Sequence, residues 1–307
     1  MADDHLALTP VLTGCTASGK TGILLELSNR HSIEIINADS RQVYRGMDIG
    51  TAKPSLDEQS QVKHYLLDQI NPDEVFSAGM FVDRAKELII QIANRGAVPV
   101  ISGGTALYIL ALTGSLDEMP PRCDGIREGL KAMEIERPGI LNEILHRVDP
   151  GFADKIGESD KRRQERALEI YFQSGKPPSA FRKGGDPSER KKYLIAGISI
   201  PRDEHRRRIR MRAVKMLDAG LIDEVEALLS AGWGRDSALS RTIGYSEVLA
   251  FLDGSISTED EIVEAIFINT WRLVRRQKNM FNRIEGIYWM QDDPDLIDEF
   301  LFGEGGL

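Results

Sequence analysis

The chain has 307 residues, 41% of them apolar, and a formal charge of −9. That length suggests one large domain carrying an insertion, or two domains, with apolar material for a sizeable core. The acidic balance argues against a protein that coats nucleic acid non-specifically, though local basic patches remain open. The start, Met1-Ala2-Asp3-Asp4-His5, lacks an apolar signal core and no run approaches a membrane span. Cys15 and Cys123 make neither a disulfide framework nor a metal-ligand spacing, so a soluble, cytoplasmic protein is expected.

Val11-Leu12-Thr13 reads as a strand and Gly22 to Leu27 as a helix. Between them Gly14-Cys15-Thr16-Ala17-Ser18-Gly19-Lys20-Thr21 fits G-x-x-x-x-G-K-S/T without a mismatch. Strand, loop, helix is the order a phosphate cradle needs. Glycines let the backbone wind tightly, successive N–H groups face an anion, and the helix adds its positive end. Lys20 is placed to reach the outer phosphate and the Thr21 hydroxyl to hold Mg²⁺. Such a loop takes a diphosphate whether a nucleoside, a sugar or a lipid is attached to it.

Ile33-Glu34-Ile35-Ile36-Asn37 reads as a second strand, ending in Ala38-Asp39-Ser40-Arg41-Gln42. Because neighbouring parallel strands lie about 5 Å apart, Asp39 is expected near the phosphate loop. Three roles compete for it: holding Mg²⁺ through water, acting as a general base, or capping the next turn. A helix is expected from about Gly79 to Ala93, then a strand at Val98-Pro99-Val100-Ile101 closing in Ser102-Gly103-Gly104-Thr105. This alternation implies a parallel sheet covered on both faces, with ligands beyond the carboxyl ends of its strands. From Met119-Pro120-Pro121 the pattern turns helical and charged. Asp160 is placed to cap a helix that Gly175 and Pro177 stop. A strand returns at Tyr193-Leu194-Ile195-Ala196-Gly197-Ile198. Helices follow from about Asp203 to Ala219 and Ile222 to Leu229, and a long one from a capping box at Thr258-Glu259-Asp260-Glu261 to about Arg283. The expected fold is α/β, a P-loop NTPase-like parallel sheet with flanking helices and a helical insertion. It divides as 1–118 (first part of the core), 119–190 (insertion) and 191–307 (remainder of the core with C-terminal helices).

These motifs together resemble the tRNA dimethylallyltransferase family. The resemblance rests on residues 14–21, the stretch 38–54 (ADSRQVYRGMDIGTAKP), Gly103-Gly104-Thr105-Ala106-Leu107-Tyr108, Arg166-Ala167-Leu168-Glu169 with Gly175-Lys176-Pro177, Gly220 to Val225, and Ile243-Gly244-Tyr245-Ser246-Glu247. The match runs in order from about Val11 to Arg283, and the 38–54 stretch is its specific part. It implies transfer of a dimethylallyl group from dimethylallyl diphosphate to N6 of the adenosine 3′ to the anticodon of a tRNA. It assigns the base to Asp39 and a diphosphate contact to Thr16, with Lys20, Thr21 and Mg²⁺ on the leaving group. It also assigns a diphosphate contact to one arginine of the run 206–212, Arg208 or Arg212. For tRNA contact it points to Asp39, Ser40, Arg41 and Gln42, to Thr105 and Arg127, to the segment Arg162-Arg163-Gln164-Glu165-Arg166, and to Arg241-Thr242-Ile243-Gly244-Tyr245-Ser246. The insertion would grip the anticodon stem-loop; a solvated basic helix face is the alternative for those arginines.

The chain departs from the family pattern at Cys15, where Pro is usual, at Tyr65, at Gly157-Glu158-Ser159, at Trp271 and at Asn279-Met280. Two other functions are carried forward. One is prenylation of free AMP, ADP or ATP, which needs no helical arm. The other is a phosphate-loop small-molecule kinase, which the 38–54 stretch counts against. A monomer is the expected state.

Overall fold

The computed structural model describes residues 8–116, 119–181 and 186–303, so the acidic N-terminal segment lies outside the described residues. The chain forms two compact units, residues 1–113 with 188–307, and residues 114–187.

In the first unit, β1 (Thr9–Gly14) leads through the phosphate loop to α1 (Lys20–Leu27), then β2 (Ile33–Asn37), α2 (Leu56–Gln61), β3 (His64–Tyr65), α3 (Ala78–Ala93), β4 (Val98–Gly103) and α4 (Ala106–Leu112). The helical unit holds α5 (Asp124–Glu136), α6 (Ile140–Val148), the single turn α7 (Pro150–Ala153) and α8 (Lys161–Ser174). After the turn α9 (Pro187–Arg190) the first unit resumes with β5 (Tyr193–Ile198), α10 (Arg202–Asp218), α11 (Leu221–Ser230), α12 (Tyr245–Leu252), α13 (Glu259–Phe281), β6 (Ile287–Met290) and α14 (Pro294–Phe302).

The six strands make one parallel sheet in the order β3-β2-β4-β1-β5-β6. Strands buried on both faces read as nearly continuous apolar runs, and β1, β2, β4 and β5 do so here. On one face Leu12, Ile35, Val100 and Ala196 pack with Ile23, Leu24 and Leu27 of α1 and Ile297 and Leu301 of α14. A second core cluster joins Val43, Tyr44 and Met47 after β2 to Ala213 and Met216 of α10, Leu221 and Val225 of α11, Tyr245 of α12 and Ile266 of α13.

The order corrects one expectation. β1 and β2 are not neighbours, because β4 lies between them and pairs with both. The β1–α1–β2 crossover steps over one strand position, so Asp39 starts two spacings from β1, roughly 10 Å, rather than one. Gly103 closes that gap: it sits so close to the end of β2 that a Cβ there would stand 2.1 Å from the Ala38 carbonyl oxygen.

The helical unit has its own small core of Leu130, Leu141, Leu145, Ala153, Ile156, Ala167 and Leu168. Asp160 caps α8 by accepting the Arg163 N–H, and Gly175 ends it in the left-handed region at φ 67°. The expected box on α13 is half made. Thr258 Oγ1 accepts the Glu261 N–H (3.2 Å), but the Glu261 carboxylate accepts from Ser257 instead of Thr258.

Candidate functional site

The phosphate loop is the turn between β1 and α1. Gly19 opens α1 at φ 91°, a conformation strained for any residue with a side chain. Ala17 adopts positive φ as well (64°), which winds the loop tightly enough to gather its N–H groups. Lys20 folds back over this turn. Its Nζ donates to the Gly14 carbonyl (2.9 Å), the Cys15 carbonyl (3.1 Å) and Ser18 Oγ (3.2 Å). Burial pushes its pKa down to about 8, with the Asp39 carboxylate acting in the opposite direction. Cys15 is buried with Sγ against the Val274 carbonyl (3.8 Å), and burial raises its pKa, so the thiol is structural.

Beside the loop, the ends of β2 and β4 are stitched together. Asp39 Oδ1 accepts the Arg41 N–H (2.8 Å), an Asx turn, so Asp39 does cap its turn; the same residue also lines the cavity described below. Thr105 N–H donates to the Ala38 carbonyl (3.2 Å) while Thr105 Oγ1 accepts the Ser40 N–H (2.9 Å). Gln42 is spent locally, its Nε2 donating to the carbonyls of Thr51 (3.3 Å) and Ala52 (2.9 Å).

Helix α10 brings two arginines to different places. Arg212 lines the same cavity as Asp39 and donates through Nη2 to the Thr51 carbonyl (3.1 Å). Burial lowers its pKa, and the Asp39 carboxylate opposes that shift. Arg208, one turn earlier, stands by the phosphate loop, with Nη1 3.6 Å from where a Cβ on Gly19 would be. It is paired with Glu204 (2.7 Å) and Asp292 (2.6 Å).

A cavity of about 260 Å³ opens beyond the carboxyl ends of β1, β2 and β4. Thr16, Asp39, Ser40, Arg41, Thr105 and Arg212 give it a polar side; Ile209, Ala213, Met216, Ile266, Leu273 and Met280 give it an apolar one. A wider groove adjoins it, lined by Arg272 and Arg275, and shares Arg241, Ile243 and Arg276 with the cavity. The pairing of phosphate loop, carboxylate and cation with an apolar wall suits a molecule with a polyphosphate at one end and a small hydrocarbon at the other.

The remaining residues singled out in the sequence divide in two. Arg241, Ile243 and Ser246 line the wider groove, and Arg162 and Arg163 are exposed on α8. The others are engaged by partners within the protein, and Thr242 also lines the cavity. Gln164 has no exposed surface and its Nε2 donates to the carbonyls of Gly157 (3.2 Å) and Glu158 (3.0 Å). Arg127 and Arg166 clamp the buried Glu169 at 2.8 and 2.6 Å, and Glu165 approaches Arg127 at 3.4 Å. Burial works against the Glu169 charge, yet these guanidinium bonds and the Cys123 N–H hold its carboxyl at about 2. Thr242 bonds its own turn through Ala238 (2.8 Å), Gly244 takes φ 97° at the start of α12, and Tyr245 is fully buried with its hydroxyl on Glu224 (2.5 Å). That Glu224 carboxylate in turn receives the N–H groups of Asp48, Ile49 and Gly50, fixing the loop that carries Thr51.

Sequence reasoning missed His205, Met216, Ile266 and Gln277. Gln277 had a readable signal: Ile266, Thr270, Val274, Gln277 and Phe281 are spaced as one helical stripe, and all five are buried. Its neighbours Arg275, Arg276 and Lys278 are all charged, so the stripe is masked in the local composition.

A phosphate loop and a carboxylate lining one half-apolar cavity define a transferase that takes its group from a phosphorylated donor. The family model described as IPP transferase matches residues 42–284, and the chain belongs to that family. It is 44% identical over 283 residues to tRNA dimethylallyltransferase 2 of Geotalea daltonii, covering 91% of this chain and 86% of that protein. It is 38% identical to the tRNA dimethylallyltransferase of Acetivibrio thermocellus, covering 94% and 93%. Among solved structures, a tRNA delta(2)-isopentenylpyrophosphate transferase from Staphylococcus epidermidis superposes with a TM-score of 0.66 at 33% identity, covering 95% of this chain and 97% of that one. The family match begins at Gln42, after both the phosphate loop and Asp39, whereas the relatives cover 91% to 95% of this chain.

Proposed function

We propose that this prenyltransferase moves a dimethylallyl group from dimethylallyl diphosphate to N6 of the adenosine 3′ to the anticodon of a tRNA. The observation that carries the reading is the shared cavity, with Asp39 and Arg212 beside the phosphate loop and Ile209, Ala213, Met216 and Ile266 as an apolar wall. The diphosphate occupies the loop, where Lys20 and Arg212 neutralise it and the Thr16 hydroxyl donates a hydrogen bond to it as it leaves, and the five-carbon group lies against the apolar wall. The N6 amine attacks the allylic carbon, the carbon–oxygen bond to diphosphate breaks, and the amine proton passes to Asp39.

Among the described residues no three His, Cys, Asp or Glu side chains gather into a metal site. Mg²⁺ would be held through the Thr21 hydroxyl, with the substrate's diphosphate and water completing its shell, the usual way this ion binds. Bound there, the ion would neutralise charge on the leaving diphosphate. For the RNA, the arginine-lined groove of Arg241, Arg272, Arg275 and Arg276 and the exposed Arg162 and Arg163 of the helical unit are the proposed backbone contacts. An unpaired loop base is read on its edges by Ser40, Arg41 and Thr105. No helix among the described residues is long and apolar enough to cross a membrane. The enzyme proposed is cytoplasmic and works as a monomer.

The test is prenyl transfer from labelled dimethylallyl diphosphate with Mg²⁺, an anticodon stem-loop competing against AMP, ADP and ATP. Label is expected in the stem-loop alone; label in the free nucleotides would move the chain to nucleotide prenylation, and none in either would reject prenyl transfer. Asp39→Asn is expected to lower turnover by about 10²- to 10⁴-fold while sparing substrate binding.

A further inference from the structure

The backbone of Thr16 is held from both sides by residues far away in sequence. Its N–H donates to Gln277 Oε1 (3.0 Å), and its carbonyl accepts from His205 Nε2 (2.8 Å). The other end of the Gln277 amide is also engaged, Nε2 donating to the Gly104 carbonyl (2.7 Å). The residue after Gly104 is Thr105, whose Oγ1 accepts the Ser40 N–H next to Asp39. One side chain therefore spans from the loop that takes the donor's diphosphate to the segment that carries the base. The residue is only 8% exposed, sits on the buried stripe of α13, and the oxygen and nitrogen of its amide face two different loops.

We infer that Gln277 is a positioning residue that fixes the separation between the phosphate loop and Asp39; the inference rests on the prenyl-transfer reading for its kinetic meaning. Catalysis by approximation is steep in distance, and a misplacement near 1 Å costs on the order of 100-fold. Gln277 lines the cavity but bonds directly to neither Asp39 nor Lys20. It sets where they stand, through Thr16 on one side and Gly104–Thr105–Ser40 on the other. The fit is tight, since a Cβ on Gly104 would stand 2.9 Å from Gln277 Nε2. Gly104 has no positive φ, so an alanine there disturbs the strut and not the local backbone preference.

The experiment uses the full chain with Gln277→Met, Gly104→Ala and the double variant. Hydrogen exchange reads the strut without any turnover. In Gln277→Met, peptides covering 14–21 and 38–44 should both exchange at least about tenfold faster than in wild type; faster exchange confined to α13 overturns the inference. Kinetics read its consequence: kcat for prenyl transfer should fall about 10- to 100-fold with KM for dimethylallyl diphosphate within about threefold. An unchanged kcat per folded molecule overturns it, as does a loss confined to KM. Gly104→Ala should cost about tenfold alone and less than about threefold on the Gln277→Met background, because one strut cannot be broken twice. Additive losses would place the two residues in separate roles. Should wild type fail to transfer prenyl at all, the functional reading falls, and the exchange data still decide the strut.

Discussion

Replacing Glu169 by Gln asks what the basic residues of the helical unit are for. The carboxylate has no exposed surface and accepts hydrogen bonds from Arg166 (2.6 Å), Arg127 (2.8 Å) and the Cys123 N–H (2.6 Å). Burial opposes its charge, yet those bonds bring the carboxyl from an ordinary 4.5 to about 2. At 1.36 kcal/mol per unit this is ~3 kcal/mol. Arg166 is one-third exposed, and water screening there reduces the figure to about 2 kcal/mol. An amide keeps the shape but takes the Glu169 charge from both guanidinium groups, leaving Arg127 only Glu165 at 3.4 Å and a buried Nε that already lacks a partner. Removing one member of a buried pair costs about 3–5 kcal/mol, so we expect a loss of about 3 kcal/mol at pH 7. The depressed carboxyl contributes in full above pH 4.5, loses ground as the pH falls, and contributes nothing below about 2. Urea unfolding of both proteins at pH 7 and pH 3.5 should show the gap narrowing by about 1.4 kcal/mol at the lower pH. A gap under about 0.5 kcal/mol at pH 7, or one indifferent to pH, would refute the clamp. Were Arg127 and Arg166 RNA contacts, freeing them in Glu169→Gln would strengthen stem-loop binding; no gain is expected.

With Lys20 at about 8, kcat/KM for the diphosphate donor should fall as the pH rises through that value, since the lysine loses the charge that meets the anion; a flat profile to pH 9.5 would contradict this. Arg212→Ala, which removes the cation beside Asp39, should lower kcat about 10²- to 10³-fold. Arg208→Ala, at the loop and already paired with Glu204 and Asp292, should act mainly on KM, and equal kinetic profiles for the two variants would sink the distinction. Gly103→Ala places a methyl 2.1 Å from the Ala38 carbonyl oxygen and 2.2 Å from its carbon, backbone that cannot step aside. It should cost about 3 kcal/mol, or roughly 6–10 °C in Tm by calorimetry, and an unchanged Tm would show that the two strand ends are not held so closely.

What could be read from the sequence was local. The loop at 14–21 follows a strand and precedes a helix, as its spacing demands, and β2 and β5 run over the residues their apolar runs marked. The short edge pieces went unread. β3 has two residues and β6 presents Tyr288 and Trp289 to solvent, so neither shows the buried-strand pattern. The site was legible where chemistry and position share one motif, as with Lys20 in the phosphate loop. It was opaque where partners are set by topology. Nothing near Thr16 announces a glutamine 261 residues later, and the neighbourhood of Asp39 depends on β4 lying between two strands that precede it in the chain. Charge alone does not separate Arg162, Arg163 and Arg166 of α8; only the helix turn shows that the last of them pairs with Glu169.

The position of β5 has a consequence for how the protein is made. β1 lies inside the sheet, and the edge it does not share with β4 is completed only by β5, with Thr9 opposite Tyr193 and Gly14 opposite Ile198. During synthesis the whole helical unit emerges between the two. Its contacts are mostly local in sequence and form quickly, whereas the β1–β5 pairing closes one of the longest loops in the chain. Until residue 198 has appeared, the nascent protein carries a nearly complete phosphate loop beside an apolar strand whose backbone donors and acceptors face outward, the kind of edge on which chains join one another. That edge therefore stays open until about two-thirds of the chain has been made.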